Sequence, residues 1–219
     1  MNDQVFLVDK PAGITSFGVV ARIRRLLREE LGKKAKVGHC GTLDPFATGL
    51  LILVTGKECK NAGQYTKLDK VYEATFRLGQ ESTTGDPEGE LTDVSERVPT
   101  ESEVEDVLRR FTGEITQRPP IFSAIKIGGQ RAYKLAREGR EIEMPERTVT
   151  IHSLELVSYA YPELRIRVHV SSGTYIRSLA VDIGRELGVG AYCSELRRTS
   201  IASWSIADAR TLSDFGIEN

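Results

Sequence analysis

The stretch Gly38-His39-Cys40-Gly41-Thr42-Leu43-Asp44-Pro45-Phe46-Ala47-Thr48-Gly49 gathers residue types that can do chemistry. Glycines at 38, 41 and 49 together with Pro45 dictate an irregular backbone, and such a loop fixes polar groups beside a rigid strand. Asp44 precedes Pro45, so its backbone is pushed toward extended geometry. A carboxylate held there is either a nucleophile or base, or the residue that closes an Asx turn. His39 is either a working imidazole or a structural one. No second His or Cys stands at zinc-ligand spacing, so no metal site is expected.

A second candidate is Ser171-Ser172-Gly173-Thr174-Tyr175-Ile176-Arg177-Ser178-Leu179. Its pattern reads as a strand end, a glycine turn and a helix start. Backbone N–H groups at a helix N-terminus suit an anion, and Arg177 can fork onto a carboxylate or phosphate. The alternative is an ordinary capped helix with a surface arginine. Tyr72 is either a stacking platform or a half-buried strand aromatic. Arg197 and Arg198 either touch phosphate or are simply solvated.

The elements that must position these residues are legible in part. Val5–Asp9 reads as a strand, and Thr15 or Ser16 caps a helix to about Leu31 that Gly32 ends. Phe17, Val20, Ile23 and Leu27 form its apolar face, and Arg22, Arg25 and Arg28 lie opposite. Leu50–Thr55 is a buried strand by its continuous apolar run. Residues 70–78 alternate as a strand, and Thr83–Glu90 is a turn-rich loop. Thr100 and Glu103 form a capping box for an acidic helix to about Phe111. A short helix follows Arg131. Val149–Val157 and Leu164–Val170 pair around Tyr161-Pro162, Tyr175–Leu187 is a helix, and Tyr192–Thr199 returns as a strand. Hairpin-length connections predict an α+β fold with a mixed, largely antiparallel sheet flanked by helices and loops.

Composition bounds the function. The chain has 219 residues, 40% hydrophobic and 28% charged, enough for a sizeable core. No apolar run approaches the roughly 20 residues of a membrane span, and the N-terminus lacks an export pattern. The three cysteines, Cys40, Cys59 and Cys193, suggest no disulfide framework, so a cytoplasmic location is expected. Net charge is −1, but its distribution is uneven. Residues 1–60 hold ten basic and six acidic side chains, residues 81–114 three and eleven, and residues 115–219 fourteen and twelve. Two basic regions flank one acidic segment, and a polyanion can bind the basic ones.

Read together, the segments resemble the bacterial tRNA pseudouridine synthase B (TruB) family, in order and over nearly the whole chain. Lys10–Ser16 resembles the KPxGxTS opening, and Gly38–Gly49 the GHxGTLDPxATG loop. Lys70–Gly79 with Thr84 and Asp86 resembles KxYxxxxxLG followed by TxTxD, with Ser82 where threonine is usual. Gln117–Lys126 is similar to QxPPxxSAxK, Gly173–Arg177 to GTYIR, and Leu196–Thr199 to the late LRR motif. The chain stops soon after that motif, so a C-terminal PUA-like domain is not expected. One catalytic domain over 1–219 is expected, with a thumb-like segment about 117–139.

The resemblance implies a pseudouridine synthase fold with a central RNA-binding cleft. It implies isomerisation of the uridine at position 55 in the T-loop of tRNA, without metal or cofactor. By that resemblance Asp44 is catalytic, engaging the sugar through which charge develops. His39 fills the space left by the flipped base and Tyr72 stacks on it. Arg177 partners the catalytic aspartate, Tyr175 and Leu196 wall the pocket, and Lys10 supports it from behind. Lys126, Arg131, Lys134 and Arg137 of the thumb meet phosphates. The implied partner is the tRNA T-arm stem-loop, with no membrane, no obligatory protein partner and a monomeric chain. The alternatives are a synthase with another RNA target, such as guide-dependent relatives, and a tRNA-binding or refolding module. A glycosidase would need a second catalytic carboxylate, and no paired motif offers one.

Overall fold

Strands and helices alternate through residues 4–31, 35–140 and 142–217, which the computed structural model describes, the side chains of residues 29–31 and 137 excepted. In chain order they are β1 (Val5–Lys10), α1 (Ser16–Leu31), β2 (Val37–Cys40), β3 (Thr48–Thr55), α2 (Ala62–Thr66), β4 (Lys70–Leu78), β5 (Gln80–Ser82) and β6 (Leu91–Asp93). Then follow α3 (Glu101–Arg110), β7 (Gly113–Gln117), β8 (Lys126–Ile127), β9 (Gln130–Arg131), α4 (Ala132–Arg137), β10 (Arg147–Ala160), β11 (Glu163–Val170), α5 (Ile176–Glu186), β12 (Ala191–Ile201) and β13 (Trp204–Ser205). The expected stop at Gly32 lies outside the described residues. The chain forms two compact units, Met1–Glu73 with Leu196–Asn219, and Ala74–Glu195.

The first unit is built on β3. Its continuous apolar run is buried on both faces, because successive side chains of a strand point to opposite sides. Leu51 and Leu53 pack with Val19, Val20 and Ile23 of α1, whereas Leu50, Ile52 and Val54 pack with Cys40 and Ile201. β1 and β2 lie antiparallel to β3. The end of β12 runs parallel to it, with Arg197 opposite Thr48 and Arg198 opposite Gly49.

α1 starts as expected, with the Thr15 hydroxyl accepting from the Gly18 N–H at 2.9 Å. Its apolar stripe differs at one position. Val20 and Ile23 are buried and Leu27 is packed on the core, but Phe17 is 62% exposed. At about 100° per residue Phe17 lies roughly 60° beyond Val20, outside the arc that faces β3.

In the second unit β4, β11, β10 and β7 lie side by side in that order. β10 is antiparallel to both its neighbours. β11 reads as a half-buried strand, with Leu164, Ile166, Val168 and Val170 buried. α3 carries the expected capping box and buries Val104, Val107 and Leu108 against β10 and α5. α5 buries Ile176, Leu179, Ala180 and Ile183. The expected mixed, largely antiparallel sheet with packed helices is what the chain forms.

Candidate active site

Lys10, His39, Asp44, Tyr72 and Leu196 belong to the first unit, Tyr175 and Arg177 to the second.

The Asp44 loop is held from three directions. Ser16, 1% exposed at the start of α1, accepts from the Leu43 N–H at 2.8 Å and donates to the Leu43 carbonyl at 2.9 Å. One hydroxyl thus fixes both backbone groups of the residue before Asp44. Lys10 is fully buried on β1, and its ammonium donates to the carbonyls of Pro11 and Ile14 at 2.8 Å and of Pro45 at 3.2 Å. The Pro45 carbonyl also accepts from the Gly13 N–H at 2.9 Å, so the KPxGxTS-like turn and the Asp44-Pro45 loop are knitted together. The Ala47 N–H donates to the Asp44 carbonyl at 3.2 Å.

The third anchor is Arg198. It is buried, donating to the Leu50 carbonyl at 2.7 Å and the Gly41 carbonyl at 2.9 Å. Arg197 forks onto Asp9, at 3.1 and 2.7 Å, and reaches Thr48 Oγ1 at 3.4 Å. Arg198 is therefore neither a phosphate contact nor a solvated cation, whereas Arg197, its side chain 40% exposed, is ion-paired at the surface. They tie β12 to the loop and to β1. Gly49 is required at this junction. Its φ is +105°, and a Cβ there would come within 2.3 Å of the Arg198 carbonyl oxygen. Any side chain would push β12 away.

His39 stands on β2 opposite Leu53, half-buried, two residues ahead of the irregular backbone. Tyr72 is 7% exposed on β4 and Leu196 is 8% exposed on β12, where its carbonyl accepts from Thr48 Oγ1 at 3.5 Å. Lys70, also buried, donates to the carbonyls of Thr66 and Leu68. Burial lowers its pKa to about 8, and the Arg198 charge adds to the effect. Burial raises the Cys40 thiol to about 11, with Cys59 and Glu58 contributing. The hydrogen bond to Glu58 raises Tyr65 to about 12, reinforced by desolvation.

In the second unit Arg177 and Asp86 form a buried pair at 3.0 Å, with side chains 3% and 4% exposed. The same guanidinium donates to the Thr84 carbonyl at 3.0 Å and the Phe122 carbonyl at 2.9 Å. Asp86 is satisfied as well, accepting from Thr84 Oγ1 at 2.6 Å and from the Glu88 N–H at 3.0 Å. Hydrogen bonds to both members offset much of the cost of burying such a charge pair. Ser82, where the resembled motif has threonine, donates its hydroxyl to the Asp86 carbonyl at 2.5 Å.

α5 is therefore no ordinary helix with a surface arginine. Its start grips residues 117–122, the first part of the segment expected to be thumb-like. Arg177 holds Phe122, and Ser178 Oγ donates to the Arg118 carbonyl at 2.8 Å. The buried Gln117 amide accepts from the Tyr175 N–H at 2.8 Å and donates to the Tyr175 carbonyl at 3.0 Å. The Arg147 guanidinium lies 5.2 Å over the Tyr175 ring. Beyond these anchors Lys126 and Arg131 pair across the β8–β9 hairpin, and both are exposed, as is Lys134 of α4. The Arg137 side chain lies outside the described residues.

Ser16, Asp86, Gln117 and Arg198 form this framework, and sequence reasoning assigned none of them that work. Their signal was their place inside the quoted motifs. A motif says that a residue type is required there, not which carbonyl it holds.

A family model described as the N-terminal domain of TruB family pseudouridylate synthases matches residues 24–176. The chain belongs to the TruB family. A second model, described as the tRNA pseudouridylate synthase B C-terminal domain, matches residues 177–217. The TruB chain is 46% identical to tRNA pseudouridine synthase B of Thermobifida fusca, over all of this chain and 76% of that protein. It is 48% identical to the protein of that name in Aromatoleum aromaticum, over 96% of this chain and 67% of that one. Among solved structures it is similar to a Cbf5-Nop10-Gar1 complex, with a TM-score of 0.74 and 34% identity. That match covers 96% of this chain and 52% of the other. A similar match, with a TM-score of 0.69, 30% identity and 98% and 56% coverage, is to an H/ACA RNP bound to a substrate RNA containing 2′-deoxyuridine. The TruB chain thus spans about half the length of those two chains. The reaction class of its family is isomerisation, that of a pseudouridylate synthase.

Proposed function

We propose that this chain converts uridine to pseudouridine in tRNA, at position 55 of the T-loop, with Asp44 as the catalytic carboxylate. The observation that carries this reading is the Asp44 loop itself. Ser16, Lys10 and Arg198 hold its backbone through five carbonyl or N–H contacts, at Gly41, Leu43, Pro45 and Leu50. A carboxylate on so fixed a backbone suits a reaction that needs placement and charge stabilisation rather than an external reagent.

In this reading the N1–C1′ bond of the flipped uridine breaks, the uracil turns, and C5 joins C1′. Asp44 stabilises positive charge on the sugar or bonds to a sugar carbon. His39 takes the place of the departed base, Tyr72 stacks on the uracil, and Tyr175 and Leu196 wall it. Arg177 orients Asp44, and Lys10 supports the loop. The catalytic work is assigned to one domain that acts as a monomer without a protein partner. The exposed Lys126, Arg131 and Lys134 supply phosphate contacts from the thumb.

The test is to map pseudouridine in an unmodified tRNA transcript after incubation with the pure chain. Modification at position 55 is expected. Asp44→Asn should abolish it while RNA affinity stays within about tenfold, because affinity comes mainly from phosphate contacts. Substantial turnover by the purified variant, or modification elsewhere in the RNA, would overturn the assignment.

A further inference from the structure

The exposed side of α1 has no part in the machinery described above, yet it is unusual. Phe17 is 62% exposed, and the Arg24 guanidinium lies 5.5 Å over its ring. At 3.6 residues per turn Phe17, Ala21, Arg24 and Arg28 form one stripe, with Arg25 about 80° and Arg22 about 140° around the helix from Phe17. None of these four arginines is ion-paired with a carboxylate among the described residues. Arg22 donates only to the Gly18 carbonyl, at 3.4 Å. Eight of the other sixteen arginines behave differently. Arg97, Arg109, Arg110, Arg118, Arg165, Arg177, Arg185 and Arg197 each have a carboxylate partner.

We infer that this face of α1 is a second RNA-binding surface, on which the four arginines meet backbone phosphates and Phe17 stacks an unpaired base. Charge complementarity selects the partner. Guanidiniums with no carboxylate partner among the described residues, set along a helix, match a polyanion, and an exposed aromatic among them is the platform on which loop bases stack. From Phe17 to Arg28 the stripe is roughly 16 Å long, enough to follow several successive phosphates. Its position fits the proposed site. α1 begins at Ser16, whose hydroxyl holds the backbone before Asp44. RNA gripped along the helix therefore runs from the reacting nucleotide's loop outward. The inference rests on the RNA-modifying function proposed above.

The experiment measures binding of an end-labelled T-arm stem-loop RNA to the full chain across a salt series, with pseudouridine formation followed in parallel. Arg24→Gln with Arg28→Gln should weaken binding by about tenfold. It should flatten the log affinity against log salt slope by about 1.4 to 1.8, because each phosphate contact contributes roughly 0.7 to 0.9. Phe17→Ala should weaken binding by about fivefold or more with no change in slope, since stacking releases no counterions. Arg165→Gln, which removes an exposed but ion-paired arginine, should leave both unchanged. Rates at saturating RNA should match the unaltered chain in all three. Unaltered affinity and slope in the double variant would overturn the inference and leave the face to another partner, such as an acidic protein. So would an equal loss in Arg165→Gln. If the unaltered chain forms no pseudouridine, the catalytic proposal fails, while the binding comparison still decides whether α1 holds RNA.

Discussion

At the scale of single residues, the most informative side chains are the buried cations. Arg177 donates to the Asp86 carboxylate and to the carbonyls of Thr84 and Phe122. Lysine keeps the charge but offers no planar fork. Arg177→Lys is expected to lower the rate at saturating RNA by at least about tenfold with little change in affinity, measured by single-turnover kinetics. An unchanged rate would mean that the fork is dispensable. Lys70 gives a pH test. Its folded pKa, about 8, lies below the ordinary 10.5, so above pH 8 the folded chain sheds a proton that the unfolded chain keeps. Stability therefore rises with pH, by about 1 kcal/mol between pH 8 and 9. Above pH 9 the raised Cys40 thiol opposes it, because the unfolded thiol ionises before the folded one. Denaturant titrations should show the rise, and Lys70→Met should remove it.

Between elements, the junction of β3 with β12 turns on one glycine. Gly49→Ala must displace the Arg198 backbone, 2.3 Å from the new Cβ, and with it the Gly41 and Leu50 contacts. A loss of about 3 kcal/mol or more is expected, together with activity, measured by chemical denaturation and turnover. β4, β11, the α3 capping box and the α1 cap were legible in the sequence, because alternation and caps are local signals. β2 was not. Val37–Cys40 carries Gly38, has no clean alternation and is a strand because β3 offers it an edge. Phe17 was read as core because its spacing fits a helical stripe, and it fails by the width of the arc that β3 covers. The candidate site was legible in residue types through its motifs. Its hydrogen-bond framework was not, because which carbonyl a buried arginine reaches is fixed by tertiary packing.

At the scale of the whole chain, exposed cations recur on α1 and on the β8–β9–α4 segment, with Lys126, Arg131 and Lys134 on the latter. A T-arm stem-loop contains the loop bases and stem phosphates that these surfaces can read. Single-turnover rates on that fragment should lie within about threefold of those on whole tRNA, and affinity for both should fall with salt. A strict need for intact tRNA would show that contacts outside the T-arm dominate. The Arg198 anchor has a further consequence, for the order of assembly. Arg198 stands 157 positions from Gly41, whose carbonyl it holds. The loop bearing Asp44 leaves the ribosome well before β12, the strand that supplies its floor. A nascent chain can therefore form its helices and local hairpins long before it possesses a competent loop, and pairings this distant close slowly. An unfinished copy would hold cations able to meet RNA while still lacking the means to act on it.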